Sequence, residues 1–231
     1  MNRILTSIML LLPIVALTAA PTRARAEYNP VVVITLGGNS SEDIHGVVKE
    51  EAKKQKYPLE LDTNWAQDSG DIRATQKDAQ RIMDKIDSLV KKNGNAKNKL
   101  NLIVIGKSAG GVLAWNLFRL FYGPLYKFHR VALVMVDPHG SVDDDENKGT
   151  YCDRQDLWWP GNWSSDQGFF RVYDIFQQEG AGLSGASFPD SRVHLNLQIK
   201  DEGITHMNIP EYGKTRKAIK DALHFVYERK W

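Results

Sequence analysis

A serine flanked by glycines is the residue of this sequence best placed to act as a nucleophile. Ser108 lies in the segment Gly106-Lys107-Ser108-Ala109-Gly110, which has the form G-x-S-x-G. This motif presents a reactive hydroxyl on a sharp turn, and it needs a strand before it and a helix after it. The apolar residues 102–105 and the helix-forming residues 112–117 meet both conditions. A phosphate-binding loop is excluded, because it would need glycine at the position of Asn101.

A serine hydroxyl is a weak nucleophile unless a neighbouring base accepts its proton. His206 lies in the loop between the last predicted strand and the last predicted helix. Enzymes with this motif carry their residues in the order serine, acid, histidine, which excludes His45. The other histidines lie at or within predicted strands or helices, or directly behind a candidate acid: His129, His194, His224 and His139. We therefore expect His206 to be the general base.

The base needs a carboxylate to orient it. Asp137 ends a predicted buried strand, at the sheet edge where ligands gather, although an Asp-Pro pair also favours a simple turn. Asp201 is the main rival, but only five positions separate it from His206. Asp174 lies inside a predicted strand and is less suitable. The residues themselves favour Asp137 and leave Asp201 open.

Strands and helices that alternate along the chain must position these side chains. Apolar runs predict strands over residues 31–36, 59–63, 100–105, 131–136, 169–176 and 193–199. Helical spacing predicts helices from about residue 41 to 52, over 72–92, from the serine to about Tyr122, and over 212–229. Apolar strands separated by helices indicate a parallel sheet covered on both faces. The predicted fold class is α/β, a three-layer α/β/α sandwich with a mostly parallel sheet of about six strands.

Together these residues resemble the α/β-hydrolase superfamily, in particular exported lipases and esterases, over most of residues 31–229. In the branch that resembles pancreatic lipases, the acid follows the strand after the nucleophile helix in an Asp-Pro context, as in Val136-Asp137-Pro138. The histidine of that branch precedes a short apolar-Pro stretch, as in His206-Met207-Asn208-Ile209-Pro210. The resemblance therefore implies Asp137 as the acid. Lys107 replaces the aromatic or histidine residue that is common before the serine, which leaves the substrate class open.

The resemblance also implies an oxyanion hole. One donor would be the backbone N–H of Ala109, and the other would come from the loop at Gly38 and Asn39.

The irregular segment 140–168 is expected to overhang the site, and Trp158, Trp159 and Trp163 could line a substrate pocket or fasten this segment to the core. The acidic run 143–146 does not have the spacing of a calcium-binding loop. We expect no metal and no cofactor.

The first 26 residues have the pattern of an export signal. A short cationic start, an apolar run from Ile4 to Leu17 and the sequence Ala24-Arg25-Ala26 predict a signal peptide at 1–26 and a hydrolase domain at 27–231. The apolar run is too short for an ordinary membrane span, although an uncleaved anchor is an alternative. We therefore expect a secreted or periplasmic protein. The single cysteine, Cys152, excludes an intramolecular disulfide.

Charge gives no indication of a nucleic-acid partner. Removal of Arg3, Arg23 and Arg25 with the leader leaves 27 basic residues against 28 acidic ones. The sequence thus predicts an exported serine hydrolase that cleaves small-molecule or lipid esters through an acyl-enzyme formed by Ser108, His206 and Asp137. Two alternatives remain, a hydrolase of thioesters, amides or acetylated carbohydrates, and a non-catalytic binding protein on a hydrolase scaffold.

Overall fold

The alternating strands and helices build one sheet between two layers of helices. The computed structural model describes residues 29–37, 42–59, 61–66, 72–92, 100–125, 128–138, 169–177 and 193–228. Its strands are β1 (Val31–Gly37), β2 (Leu61–Ala66), β3 (Asn101–Lys107), β4 (Arg130–Val136), β5 (Phe170–Gln177) and β6 (Leu195–Ile199). Its α-helices are α1 (Glu42–Lys54), α2 (Ile72–Lys92), α3 (Ala109–Leu125) and α4 (Gly213–Tyr227), and a short 3-10 helix spans Ile209–Glu211.

The sheet is parallel throughout, with the strand order β2-β1-β3-β4-β5-β6. β2 lies on one side of β1, and β3 to β6 follow in order on its other side. Open α/β sheets bind ligands beyond the carboxyl ends of their strands at such a switch point. Ser108 directly follows β3, so the G-x-S-x-G motif lies at the switch point. The predicted three-layer α/β fold with about six parallel strands is confirmed.

The strands at the centre of the sheet are buried because helices cover both of its faces. Every residue of β1 and β3 is buried. Leu102 and Val104 pack in the cluster that includes apolar residues of α2 and α3. Ile103 and Ile105 pack in the opposite cluster, with α1 and α4. This alternation explains why β3 is apolar without interruption, since side chains of a strand point to the two faces in turn.

The predicted bounds differ from the structure mainly at the two edge strands. β2 spans Leu61–Ala66 rather than 59–63. Half of its residues are polar, so the apolar pattern that marks a buried strand is weak there. β6 begins at Leu195 and not at 193, so His194 precedes the strand and is exposed. Edge strands have a neighbour on one side only, and their sequences are therefore less strongly constrained by burial.

Candidate active site

The turn that carries Ser108 is held in a strained backbone conformation. Ser108 has a φ of 56°, in the left-handed region that residues with a Cβ rarely adopt. Its N–H donates to the carbonyl of Val136 on β4 (3.0 Å). Its own carbonyl accepts from the N–H groups of Gly111 (2.9 Å) and Val112 (3.3 Å), which begins α3. The surrounding hydrogen bonds thus impose a conformation that costs free energy, as is common at functional sites.

Close backbone contacts explain the glycines on either side of the serine. A Cβ at Gly106 would lie 2.1 Å from the carbonyl oxygen of Gly110, and a Cβ at Gly110 would lie 2.0 Å from the carbonyl oxygen of Leu36. Both distances are far below any van der Waals contact. Gly111 in turn lies against Pro138, with 3.0 Å between a built Cβ and the proline Cβ. Strand, turn and helix therefore fit together only when positions 106 and 110 have no side chain, and a side chain at position 111 would require Pro138 to shift slightly.

Asp137 is fully buried beside this turn. It directly follows β4, whose last residue Val136 pairs with Lys107 of β3. Its φ of 47° is also in the left-handed region, and its N–H donates to the carbonyl of Ile175 (2.6 Å). Aspartate tolerates this region better than most residues. The acid and the serine therefore occupy equivalent positions, each directly after one of two neighbouring strands.

The carboxylate of Asp137 accepts hydrogen bonds on both of its oxygens. Oδ1 accepts from the backbone N–H of Gln177 (3.0 Å). Oδ2 accepts from the side-chain amide of Gln177 (3.2 Å) and from Nδ1 of His206 (2.7 Å). Gln177 thus supplies an N–H donor to each oxygen of this buried acid, and an ionised carboxylate can act only as an acceptor in such contacts.

The contact with Asp137 fixes the tautomer of His206. An ionised carboxylate has no proton to donate, so Nδ1 of His206 must carry the hydrogen. In the neutral ring, Nε2 is then the basic nitrogen. His206 is 8% exposed. A buried imidazole with this tautomer has the arrangement that a general base for a serine requires.

The loop of His206 is ordered by its own polar groups. Asn208 accepts from the N–H of Thr205 through Oδ1 (2.7 Å) and donates through its amide to the carbonyl of Gly203 (2.9 Å). The buried Lys107 donates from Nζ to the carbonyl of Met207 (3.4 Å). The residue before the serine and the residue after the histidine are therefore in contact.

Asp201, the rival acid, makes other contacts. Its Oδ2 accepts from Tyr212 (2.6 Å) and from Lys214 (2.7 Å), and its side chain is 44% exposed. The hydrogen bonds from Lys214 and then Tyr212 lower the pKa of Asp201. The structure thus joins His206 to Asp137, and Asp201 helps to fasten the loop to the start of α4.

The other histidines make local contacts in the described part of the chain. His45 on α1 is bonded through Nδ1 to the hydroxyl of Thr35 (2.7 Å), and His224 on α4 is bonded through Nδ1 to Tyr57 (2.8 Å). His194 packs edge-on against Tyr173, and partial desolvation of its ring lowers its pKa. His129 is exposed just before β4. Structural roles suit these four positions.

Several predicted site residues lie outside the described residues. These are Gly38 and Asn39 of the predicted oxyanion hole, the tryptophans Trp158, Trp159 and Trp163, His139, the acidic run 143–146 and the leader 1–26. Ala109 is described and is the first residue of α3. The first N–H groups of a helix have no acceptor within that helix, and they are directed beyond its end.

Gln177 is the site residue that the sequence analysis missed. It ends β5, the strand next to that of Asp137, and both of its donors reach the carboxylate. The signal that could have found it is its place at the carboxyl end of a strand adjacent to Asp137.

Among the side chains that the structure describes, no cluster of three or more His, Cys, Asp or Glu residues could hold a metal ion. Within these ranges, no helix is both long and apolar enough to cross a membrane.

Comparison with known proteins supports the fold. No family model and no curated protein matches the chain. Among solved structures, the lin2722 gene product of Listeria innocua is 10% identical, with a TM-score of 0.52 over 87% of this chain and 96% of that one. A candidate cell surface hydrolase of Lactobacillus plantarum WCFS1 is 11% identical, with a TM-score of 0.53 over 88% and 94% of the two chains. With the parallel sheet and the strand-turn-helix motif at its switch point, the chain has the α/β-hydrolase fold.

Proposed function

We propose that this chain is a serine hydrolase that cleaves carboxylic esters through an acyl-enzyme. The observation that carries the proposal is the buried bond between Asp137 and Nδ1 of His206, directly beside the strained turn of Ser108. That bond leaves Nε2 as the basic nitrogen at the sheet edge where the serine lies. The fold similarity to a candidate cell surface hydrolase is consistent with this activity.

The first step forms the acyl-enzyme. Ser108 Oγ attacks the ester carbonyl carbon while Nε2 of His206 accepts the hydroxyl proton. The resulting imidazolium is stabilised by the carboxylate of Asp137, which stays ionised. The negative charge on the carbonyl oxygen is stabilised by backbone N–H groups, for which we propose Ala109 and the loop at Gly38 and Asn39. His206 then gives its proton to the departing alcohol.

The second step releases the acid. Water attacks the carbonyl carbon of the acyl-enzyme, and Nε2 of His206 accepts a proton from this water. The bond between that carbon and Ser108 Oγ then breaks, and His206 returns the proton to Oγ, which restores the free enzyme. The chemistry needs no metal or cofactor. Carboxylic esters, including lipid esters, are the proposed substrates, and we propose that the protein acts outside the cytoplasm after removal of residues 1–26. Trp158, Trp159 and Trp163 are proposed to line the acyl pocket.

Turnover of short nitrophenyl esters tests this proposal with a matched pair of variants. Asp137→Asn should lower kcat by roughly 10⁴-fold, because an amide cannot hold His206 in the required tautomer. Asp201→Asn should leave kcat within about twofold of wild type, since its exposed side chain is bonded to Tyr212 and Lys214. Equal losses in the two variants, or no turnover by a well-folded wild type, would reject the proposed mechanism. In the second case, a binding role on this scaffold would be favoured.

A further inference from the structure

Gln177 donates hydrogen bonds to both oxygens of the Asp137 carboxylate. Its backbone N–H donates to Oδ1 (3.0 Å) and its side-chain amide donates to Oδ2 (3.2 Å). The residue is 1% exposed at the end of β5. We propose that Gln177 is a positioning residue that aims Asp137 at His206, an inference that rests on the proposed function.

The backbone N–H and the side-chain amide of Gln177 together restrict the orientation of the Asp137 carboxylate more than a single donor could. A carboxylate held only by His206 could rotate about its Cβ–Cγ bond, because that torsion is broad for aspartate. Gln177 donates one hydrogen bond to each oxygen of Asp137. Oδ2 accepts from both the side-chain amide of Gln177 and Nδ1 of His206. The plane of the carboxylate is thereby set, and with it the direction of the bond to Nδ1.

The chemical type of the donor also fits this role. The amide of Gln177 is neutral, so it stabilises the ionised carboxylate without cancelling its charge. That charge must be available to stabilise the imidazolium of His206 during the reaction. A lysine or arginine at position 177 would place a competing cation beside Asp137. Glutamine supplies geometry and leaves the electrostatic interaction intact.

Two substitutions at Gln177 separate geometry from charge. Gln177→Met keeps the length of the side chain and removes the amide donor, and we expect kcat to fall about tenfold with KM unchanged. Gln177→Glu keeps the shape and, when ionised, places a second carboxylate beside Asp137. The added negative charge favours the imidazolium form of His206. The acid limb of the plot of kcat/KM against pH should therefore move to higher pH. Lys107, the nearby cation on β3, is the same in the variant and the wild type.

The matched control is Gln198→Met on β6, which applies the same chemical change one strand away. Residue 198 pairs with Phe176. All values of kcat are normalised to active sites titrated with a fluorophosphonate, so that a loss of folded protein does not count as a loss of rate.

The inference is supported if Gln177→Met lowers kcat while Gln198→Met does not, and it is further supported if Gln177→Glu shifts the acid limb. It is overturned if the wild type is active and Gln177→Met has wild-type kcat, or if Gln198→Met lowers kcat as much as Gln177→Met does. A wild type that neither turns over esters nor reacts with the fluorophosphonate would instead reject the proposed function, so the two failures are distinguishable.

Discussion

The strained backbone at Ser108 leads to a prediction about stability that does not depend on the substrate. The left-handed φ of 56° suits glycine and is unfavourable for any residue with a Cβ. Ser108→Ala and Ser108→Gly both remove the hydroxyl and should both abolish activity. They differ in the Cβ alone, so their difference in stability measures the strain.

The expected magnitude follows from two opposing terms. Relief of the left-handed strain favours glycine by about 1–2 kcal/mol. The greater freedom of glycine in the unfolded chain opposes this by about 0.4–1 kcal/mol. The net expectation is that Ser108→Gly is about 1 kcal/mol more stable than Ser108→Ala. For a chain of this size, that difference corresponds to about 3 °C in Tm.

A matched comparison at Gly46 should give the opposite sign. Gly46 lies within α1, and a Cβ there would meet no atom within 4 Å. Gly46→Ala should therefore stabilise the protein by about 0.5–1 kcal/mol, because alanine is the better helix former. Equilibrium unfolding in urea and thermal scans at one protein concentration measure both pairs.

The stability difference between the two Ser108 variants tests whether the turn is strained. If Ser108→Ala equals or exceeds Ser108→Gly in stability while Gly46→Ala behaves as expected, the turn carries no strain and the reasoning is refuted.

Three further changes test the contacts around the site. Gly110→Ala should lower the free energy of unfolding by on the order of 3 kcal/mol, because its Cβ would lie 2.0 Å from the carbonyl oxygen of Leu36; an unchanged urea midpoint would contradict this. Lys107→Met should lower kcat about fivefold, because the donor to the carbonyl of Met207 is lost; a wild-type kcat in a folded variant would show that this contact does not hold the loop. Asp201→Asn should lower Tm at neutral pH but not in acid, because a lowered pKa gives stability that is present above the ordinary value of 3.8 and is lost as the pH falls below it; parallel curves of Tm against pH would contradict this.

Local patterns were sufficient to predict the fold and to locate the sharp turn that carries Ser108. A parallel sheet buried on both faces requires uninterrupted apolar strands, and β3 and β4 have such sequences. The turn at Ser108 requires small residues at fixed spacing, because the backbones of Gly110 and Leu36 approach closely. The first constraint acts along a single strand. The second arises from a segment distant in sequence, but it is met by glycines at fixed positions of one short motif, so both leave a pattern in the chain itself.

The partners within the site depend on contacts between distant segments. Asp137 and Asp201 both follow predicted strands, and the bond to His206 distinguishes them only in three dimensions. Gln177 gave only a weak signal, its place near the end of a predicted strand, because its contact with Asp137 depends on the end of β5 lying beside the end of β4. A polar residue at the end of a strand is ordinary in sequence, and its function comes from the register of the sheet.

The central claim is that the hydroxyl of Ser108 is activated by His206. The most direct measurement is reaction of the protein, produced without residues 1–26, with a fluorophosphonate, followed by mass spectrometry of peptides to locate the label. We expect the label on Ser108, with the reaction lost in His206→Ala, which should remain folded. Labelling at another residue, or undiminished labelling of Ser108 without the imidazole, would contradict the account.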